Sequence, residues 1–152
     1  MRLIRDNKGD LAIWLFLITF VLLTVAGIVI EVLRVHNVYE HVQSELGRAV
    51  NTAVEYAIDD DSRIDEITRM DTLVATSQFY DYLYNELELT SGLAKIGGDG
   101  KTAYSLSISS LSVTDSAPRM VVTGTVTVNS IFAYLTDVKA EFTITNRAVR
   151  TD

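Results

Sequence analysis

The sequence predicts an α+β protein with a long N-terminal helix, a second helical region and a C-terminal three-stranded antiparallel β-meander packed on the long helix. Three observations support this fold class. A wholly apolar run fills residues 11–30, a helical period of 3.6 continues from there to residue 58, and a strand period of 2 replaces it after residue 103.

The apolar run, LAIWLFLITFVLLTVAGIVI, contains no charged residue and no proline, and Thr19 and Thr24 are its only polar side chains. Twenty helical residues span ~30 Å, which matches the hydrocarbon core of a bilayer. A soluble core helix of that length would keep a polar face. The run therefore predicts a transmembrane helix. A retained anchor is favoured over a removed secretory signal, because signal cores have only ~7–15 apolar residues.

Charge is distributed unevenly about this run. The 152-residue chain has a formal charge of -7. Arg2, Arg5 and Lys8 lie in a short basic leader, residues 1–10, whereas ten basic and eighteen acidic residues follow the run. The positive-inside rule predicts a single pass through the inner (cytoplasmic) membrane, with the N-terminus inside and residues 31–152 outside as a globular domain. So acidic a domain argues against nucleic-acid binding, and the absence of cysteine excludes disulfides and thiolate metal sites.

Helical patterning continues beyond the membrane run. Apolar residues recur at steps of three and four over residues 31–58, and no proline interrupts residues 11–58, so the two parts predict one rod of ~72 Å. Glu31 and Arg34, three residues apart, are placed to form an ion pair on this helix. The acidic run at 59–61 lacks the glycine and distal glutamate of a calcium loop, which favours a solvated turn.

A second helical region is predicted over residues 62–89, with a weak point near Met70 and Asp71. Its aromatic residues have helical spacing, which favours core packing over a stacking platform for a ligand. The glycine-rich residues 90–102 are predicted to form a loop. Residues 103–149 then alternate between apolar and Ser/Thr side chains, as expected of a meander with one face in water and one covered by the amphipathic helix.

Nothing in the sequence indicates an enzyme. His36 and His41 are the only histidines, and a separation of five does not place them on one helix face as a metal pair. Carboxylates are frequent, but no spacing distinguishes a catalytic pair. We therefore expect no catalytic residues, no cofactor and no metal site.

The lead-in RDNKGDLAIWLFLITFVLLTVAGIVIEVLR, a basic stretch with Gly9 before a helix that is apolar and then amphipathic, resembles the type IV filament superfamily of pilins and pseudopilins. It is closest in plan to the TadE-type proteins of tight-adherence pili. Pilins carry glutamate as the fifth residue after a cleaved glycine, where this chain has Trp14, and Asp10 is an unusual first mature residue. These departures predict that the leader is kept.

The resemblance implies a structural subunit of an extracellular filament at the cell surface, with a role in cell adhesion. The apolar helices of a homo-oligomer would form the filament core, and the β-domains would form its coat. The expected assembly residues, in the filament core or in the membrane before assembly, are Trp14, Leu15, Phe16, Ile18, Phe20, Val21, Leu22, Val25 and Ile28. The alternative is a minor subunit or binding module that stays anchored in the membrane.

Overall fold

The computed structural model describes residues 7–58, 69–115, 118–130 and 138–147, and gives the backbone alone for residues 7–10 and 147. The elements in chain order are α1 (Asn7–Ala57), α2 (Thr72–Asn85), β1 (Ala94–Ile96), β2 (Thr102–Thr114), β3 (Arg119–Val128) and β4 (Val138–Arg147). A long N-terminal helix, a short second helix and an antiparallel sheet confirm the predicted α+β class.

Helix α1 is continuous over 51 residues. It begins at Asn7, within the stretch predicted to be a leader, and it passes through Gly27 and Gly47 without interruption. The second half of the helix is one-sided, because one stripe enters the core and the remaining positions face solvent. The fully buried residues of this stripe are Val42, Leu46, Ala49, Val50, Ala53 and Val54.

Helix α2 is shorter than the predicted helical region. Asp71 is its N-cap and accepts hydrogen bonds from the backbone N–H groups of Leu73 and Val74, at 2.8 and 3.1 Å. The helix therefore starts at the predicted weak point, and the acidic run at 59–61 and residues 62–68 lie outside the described part of the chain. Ala75, Phe79 and Leu83 form its buried face, so the helical spacing of the aromatics corresponds partly to core packing.

The sheet has four strands in the order β1-β2-β3-β4, all antiparallel. The prediction of three strands is therefore wrong by one strand. Strand β1 lies inside the stretch predicted to be a loop. It pairs with β2, with Ala94 opposite Ser105 and Lys95 opposite Tyr104. A three-residue strand is too short to show an alternation of apolar and polar side chains. It forms by pairing with β2, and no local sequence pattern reveals that pairing.

A register shift in β2 between Ile108 and Ser110 explains an irregularity in the alternating pattern. The extra residue returns Leu111 to the face occupied by Ile108, as a β-bulge does. Opposite the bulge, Gly124 pairs with Ile108 and with Phe142. A β-carbon at Gly124 would meet the Ser107 carbonyl oxygen and the Phe142 ring, so the strands can approach this closely only with glycine there.

One face of the sheet packs against the helices and the other faces outward. Along β3 the buried positions alternate with half-buried ones, and the outward side chains of β2 and β3 are mainly serine and threonine. The amphipathic part of α1 thus covers the apolar face, as the sequence predicts. The core residues contributed by the sheet include Tyr104, Leu106, Met120, Val122, Val126, Val128 and Phe142.

Candidate assembly surface

The apolar run of α1 extends away from the core with its side chains exposed. All of the large apolar side chains from Leu11 to Ile30 are exposed, and exposure continues at Val32 and Leu33 on sides of the helix that the sheet does not cover. An exposed apolar surface of this length is far larger than the patches that soluble monomers tolerate. The nine predicted assembly residues, Trp14, Leu15, Phe16, Ile18, Phe20, Val21, Leu22, Val25 and Ile28, all lie on it.

The two polar side chains of the run are satisfied within the helix. The Thr19 hydroxyl donates to the Leu15 carbonyl oxygen and the Thr24 hydroxyl donates to the Phe20 carbonyl oxygen, each at 2.9 Å. Such bonding to the preceding turn leaves neither hydroxyl in need of water. The whole circumference of the run is therefore compatible with lipid or with apolar protein surface. In the described part of the chain, one helix is long and apolar enough to cross a membrane, and it is α1.

An ion pair marks the point where the domain begins. Arg34 donates from Nε and Nη2 to the two carboxylate oxygens of Glu31, at 2.9 and 2.8 Å. Arg34 Nη2 also donates to the Asn129 carbonyl oxygen at 2.6 Å. Glu31 is only 6% exposed. This arrangement, here called the neck, ties the first turn of the helix beyond the apolar run to the end of β3.

Two further hydrogen bonds establish how the sheet is oriented along the helix. The Asn129 side-chain amide donates to the Thr102 carbonyl oxygen at 3.0 Å, and the Tyr39 hydroxyl donates to the Glu141 carbonyl oxygen at 2.9 Å. Residues farther along α1 from the neck therefore contact residues farther along β4 from its start. The end of β3 and the start of β2 lie beside the neck, and the end of β2 lies at the far end.

The far end is closed by contacts between different segments. The backbone N–H of Met70 donates to Asp115 Oδ1 at 3.0 Å, and the N–H of Asp71 donates to the Ala57 carbonyl oxygen at 2.9 Å. Ala57 is 23 residues beyond Arg34, or ~34 Å along the helix. The neck therefore lies at one end of the domain and the end of β2 lies at the other.

Two tyrosine hydroxyls of the domain have raised pKa values. The Tyr82 hydroxyl donates to Glu45 Oε2 at 3.2 Å, and burial together with this carboxylate raises the pKa of Tyr82. Burial likewise raises the pKa of Tyr104, with a smaller contribution from Glu45. Both phenols are therefore protonated at neutral pH, as packed core groups are.

The side chain of Lys95 ties β1 to the segment that follows α2. Lys95 Nζ donates to Glu88 Oε2 and to the Leu87 carbonyl oxygen, each at 2.9 Å. The hydrogen bond from Lys95 lowers the pKa of the Glu88 carboxyl, and Glu88 itself has a left-handed backbone with φ of 52°. This pair stabilises the short edge strand that the sequence analysis missed.

The acidic and histidine side chains in the described part of the domain are dispersed. Across residues 7–58, 69–115, 118–130 and 138–147, no three His, Asp or Glu side chains cluster as metal ligands would. His36 Nε2 lies 3.2 Å from Glu40 Oε1, one helical turn away, and both side chains are exposed. The expectation that the chain is not an enzyme and has no cofactor remains a prediction.

The sequence placed Glu31 and Arg34 together through their spacing, but it did not indicate Asn129. The partner atom in Asn129 is a backbone carbonyl oxygen 95 residues away, and any residue would supply one. No pattern in the sequence carries that signal.

A long N-terminal apolar helix followed by an antiparallel sheet is pilin-like in plan. No protein-family model matches the chain, and comparisons with curated proteins and with solved structures find no significant match.

Proposed function

We propose that the chain is a structural subunit of an extracellular, pilus-like filament, assembled through the apolar part of α1 with the β-domain as its coat. The observation that carries this proposal is the exposed apolar part of α1. It is continuous with the domain, but the domain leaves its large apolar side chains over residues 11–30 uncovered. The surface needs either lipid or other copies of the chain as its cover. Before assembly the helix resides in the membrane, and in the filament the helices of neighbouring copies cover one another.

The cost of leaving this helix in water supports the same proposal. Each large apolar side chain is stabilised by ~1.5–3 kcal/mol when it is fully buried. The nine assembly residues together therefore represent well over ~10 kcal/mol, comparable to the ~5–15 kcal/mol that holds a whole domain folded. A subunit outside the bilayer can exist only if its helix is packed against others.

The second candidate function is an anchored minor subunit or binding module that stays in the membrane. It is favoured by the uniform character of the run, in which both threonine hydroxyls are bonded within the helix and no charged side chain occurs over residues 11–30. A helix of this kind is stable when it is surrounded by lipid alone.

The Leu22→Lys variant separates the two functions. A lysine in a dry filament core is costly, whereas a single lysine in a long membrane span costs ~2.5–3.5 kcal/mol, which the other apolar residues offset. We expect Leu22→Lys to reach the membrane fraction and to form no fibres. The matched control is Leu73→Lys, the same change at a residue that is 80% exposed on α2, and it should still form fibres. Fibres that persist in the Leu22→Lys strain would mean that this helix is not their core, and the anchored module would then be favoured.

A further inference from the structure

One end of the domain lies beside the neck, where α1 leaves the apolar run. It comprises the β1–β2 turn at residues 97–101, Thr102, Asn129 and the first residues of β4. We propose that this neck-facing end lies in the lipid headgroup layer and contacts phospholipid phosphates while α1 spans the bilayer. The inference rests on the apolar run lying in the membrane. The filament subunit requires this before assembly, and the anchored module requires it throughout.

The distances along α1 support this position. Arg34 follows Ile30 by four residues, or ~6 Å of helix. A headgroup layer is ~5–7 Å thick on each side of the hydrocarbon core. Since Arg34 Nη2 is 2.6 Å from the Asn129 carbonyl oxygen, the end of β3 is held at the level of that layer. The hydrogen bond between Asn129 and Thr102, 3.0 Å long, brings the start of β2 to the same level.

The exposed surface of α1 at this level agrees with the placement. Val32 and Leu33 are exposed at the same height as the Glu31–Arg34 pair, on sides of the helix that the sheet leaves open. An apolar surface that continues past Ile30 is suited to the boundary between hydrocarbon and headgroups. At the same height, the Glu31 carboxylate is nearly buried and bonded to Arg34, whose guanidinium also donates to the Asn129 carbonyl oxygen.

The neck-facing end also presents donors that suit phosphate. Lys101 is the last residue of the β1–β2 turn and Lys139 lies near the start of β4, and both side chains are exposed. Asp99 lies in the same turn, where its Oδ1 accepts a hydrogen bond from the Lys101 backbone N–H at 3.1 Å. These two ammonium groups contrast with a domain that is acidic as a whole. Lysine side chains at this depth interact favourably with phosphate oxygens.

Three single-cysteine variants test the proposal, because the chain has no cysteine of its own. Gly98→Cys marks the neck-facing end, at a position where a β-carbon meets no neighbour within 4 Å. Ser112→Cys marks the same sheet ~33 Å away along β2. Val21→Cys marks the apolar run. The full-length protein carries a nitroxide at each position in vesicles of phosphatidylcholine and phosphatidylglycerol that contain a nickel-chelating headgroup lipid.

We expect headgroup nickel to enhance the electron-spin relaxation of the nitroxide at position 98 strongly and that of the nitroxide at position 112 not at all. The nitroxide at position 21 should be relaxed by oxygen dissolved in the lipid. If the Val21 label is in lipid but Gly98 and Ser112 respond equally, the headgroup contact is refuted and the membrane span stands. If the Val21 label is outside the lipid, both the membrane span and the headgroup contact are refuted.

Discussion

Replacing Arg34 by leucine is expected to loosen the neck. Arg34 holds both carboxylate oxygens of Glu31 and, through Nη2, the Asn129 carbonyl oxygen at 2.6 Å. Leucine keeps a good helix former at this position, so the helix itself is little affected. The variant removes the contact between α1 and the end of β3 and takes from the nearly buried Glu31 carboxylate its bidentate partner.

The size of the effect follows from the exposure of the two side chains. Exposed ion pairs contribute ~0–1 kcal/mol, whereas removing one member of a buried pair costs ~3–5 kcal/mol. The Glu31 side chain is 8% exposed and the Arg34 side chain is 36% exposed, which places this pair between the two cases. We expect Arg34→Leu to lower the free energy of unfolding by about 2 kcal/mol, including the lost bond to the Asn129 carbonyl.

The chain offers a matched control. Arg48 pairs with Glu45 at the same spacing and at 3.0 Å, but its side chain is 68% exposed, so Arg48→Leu should cost less than ~1 kcal/mol. The measurement is urea unfolding of the full chain in detergent micelles, followed by the near-UV circular dichroism of the tyrosines. Equal midpoints for Arg34→Leu and Arg48→Leu, at unchanged slope, would refute the structural importance of the neck.

Three further outcomes are expected. Gly124→Ala should lower the urea midpoint by the equivalent of ~1–3 kcal/mol, because its β-carbon would meet the Ser107 carbonyl oxygen; an unchanged midpoint would show that the strands relax freely. Burial raises the pKa of Tyr104, so the unfolded state releases this proton first and the associated stability is lost as pH rises above ~10. Tyr104→Phe should therefore lose less stability than the wild type at alkaline pH, and identical stability–pH profiles for the two proteins would contradict this. Ser112→Cys should react with a membrane-impermeant maleimide in intact cells, and reaction only after lysis would reverse the orientation expected from the basic leader.

Much of the architecture could be predicted because it depends on periodicity. The apolar stripe that includes Val42, Leu46 and Ala53 repeats at helical spacing without proline, so the rod and its buried face follow from the sequence alone. The alternation along β3, with Val122 and Val126 inward, likewise indicates a sheet with one covered face.

The features that could not be predicted depend on contacts between distant segments. Strand β1 exists because Ala94 and Lys95 pair with β2 and because Lys95 is held by Glu88, and three residues carry no period. Within the candidate assembly surface, the apolar side chains were evident from composition. The neck was only half evident, since its third member is the Asn129 backbone carbonyl oxygen, which has no signature in sequence.

The central claim is that the apolar part of α1 is covered by other copies of the chain in a surface filament. The most direct test is negative-stain microscopy of material sheared from cells, with the chain identified in it by mass spectrometry. The account predicts uniform fibres in which this chain is a principal component. Recovery of the chain only in the membrane pellet, with no fibres containing it, would contradict the account.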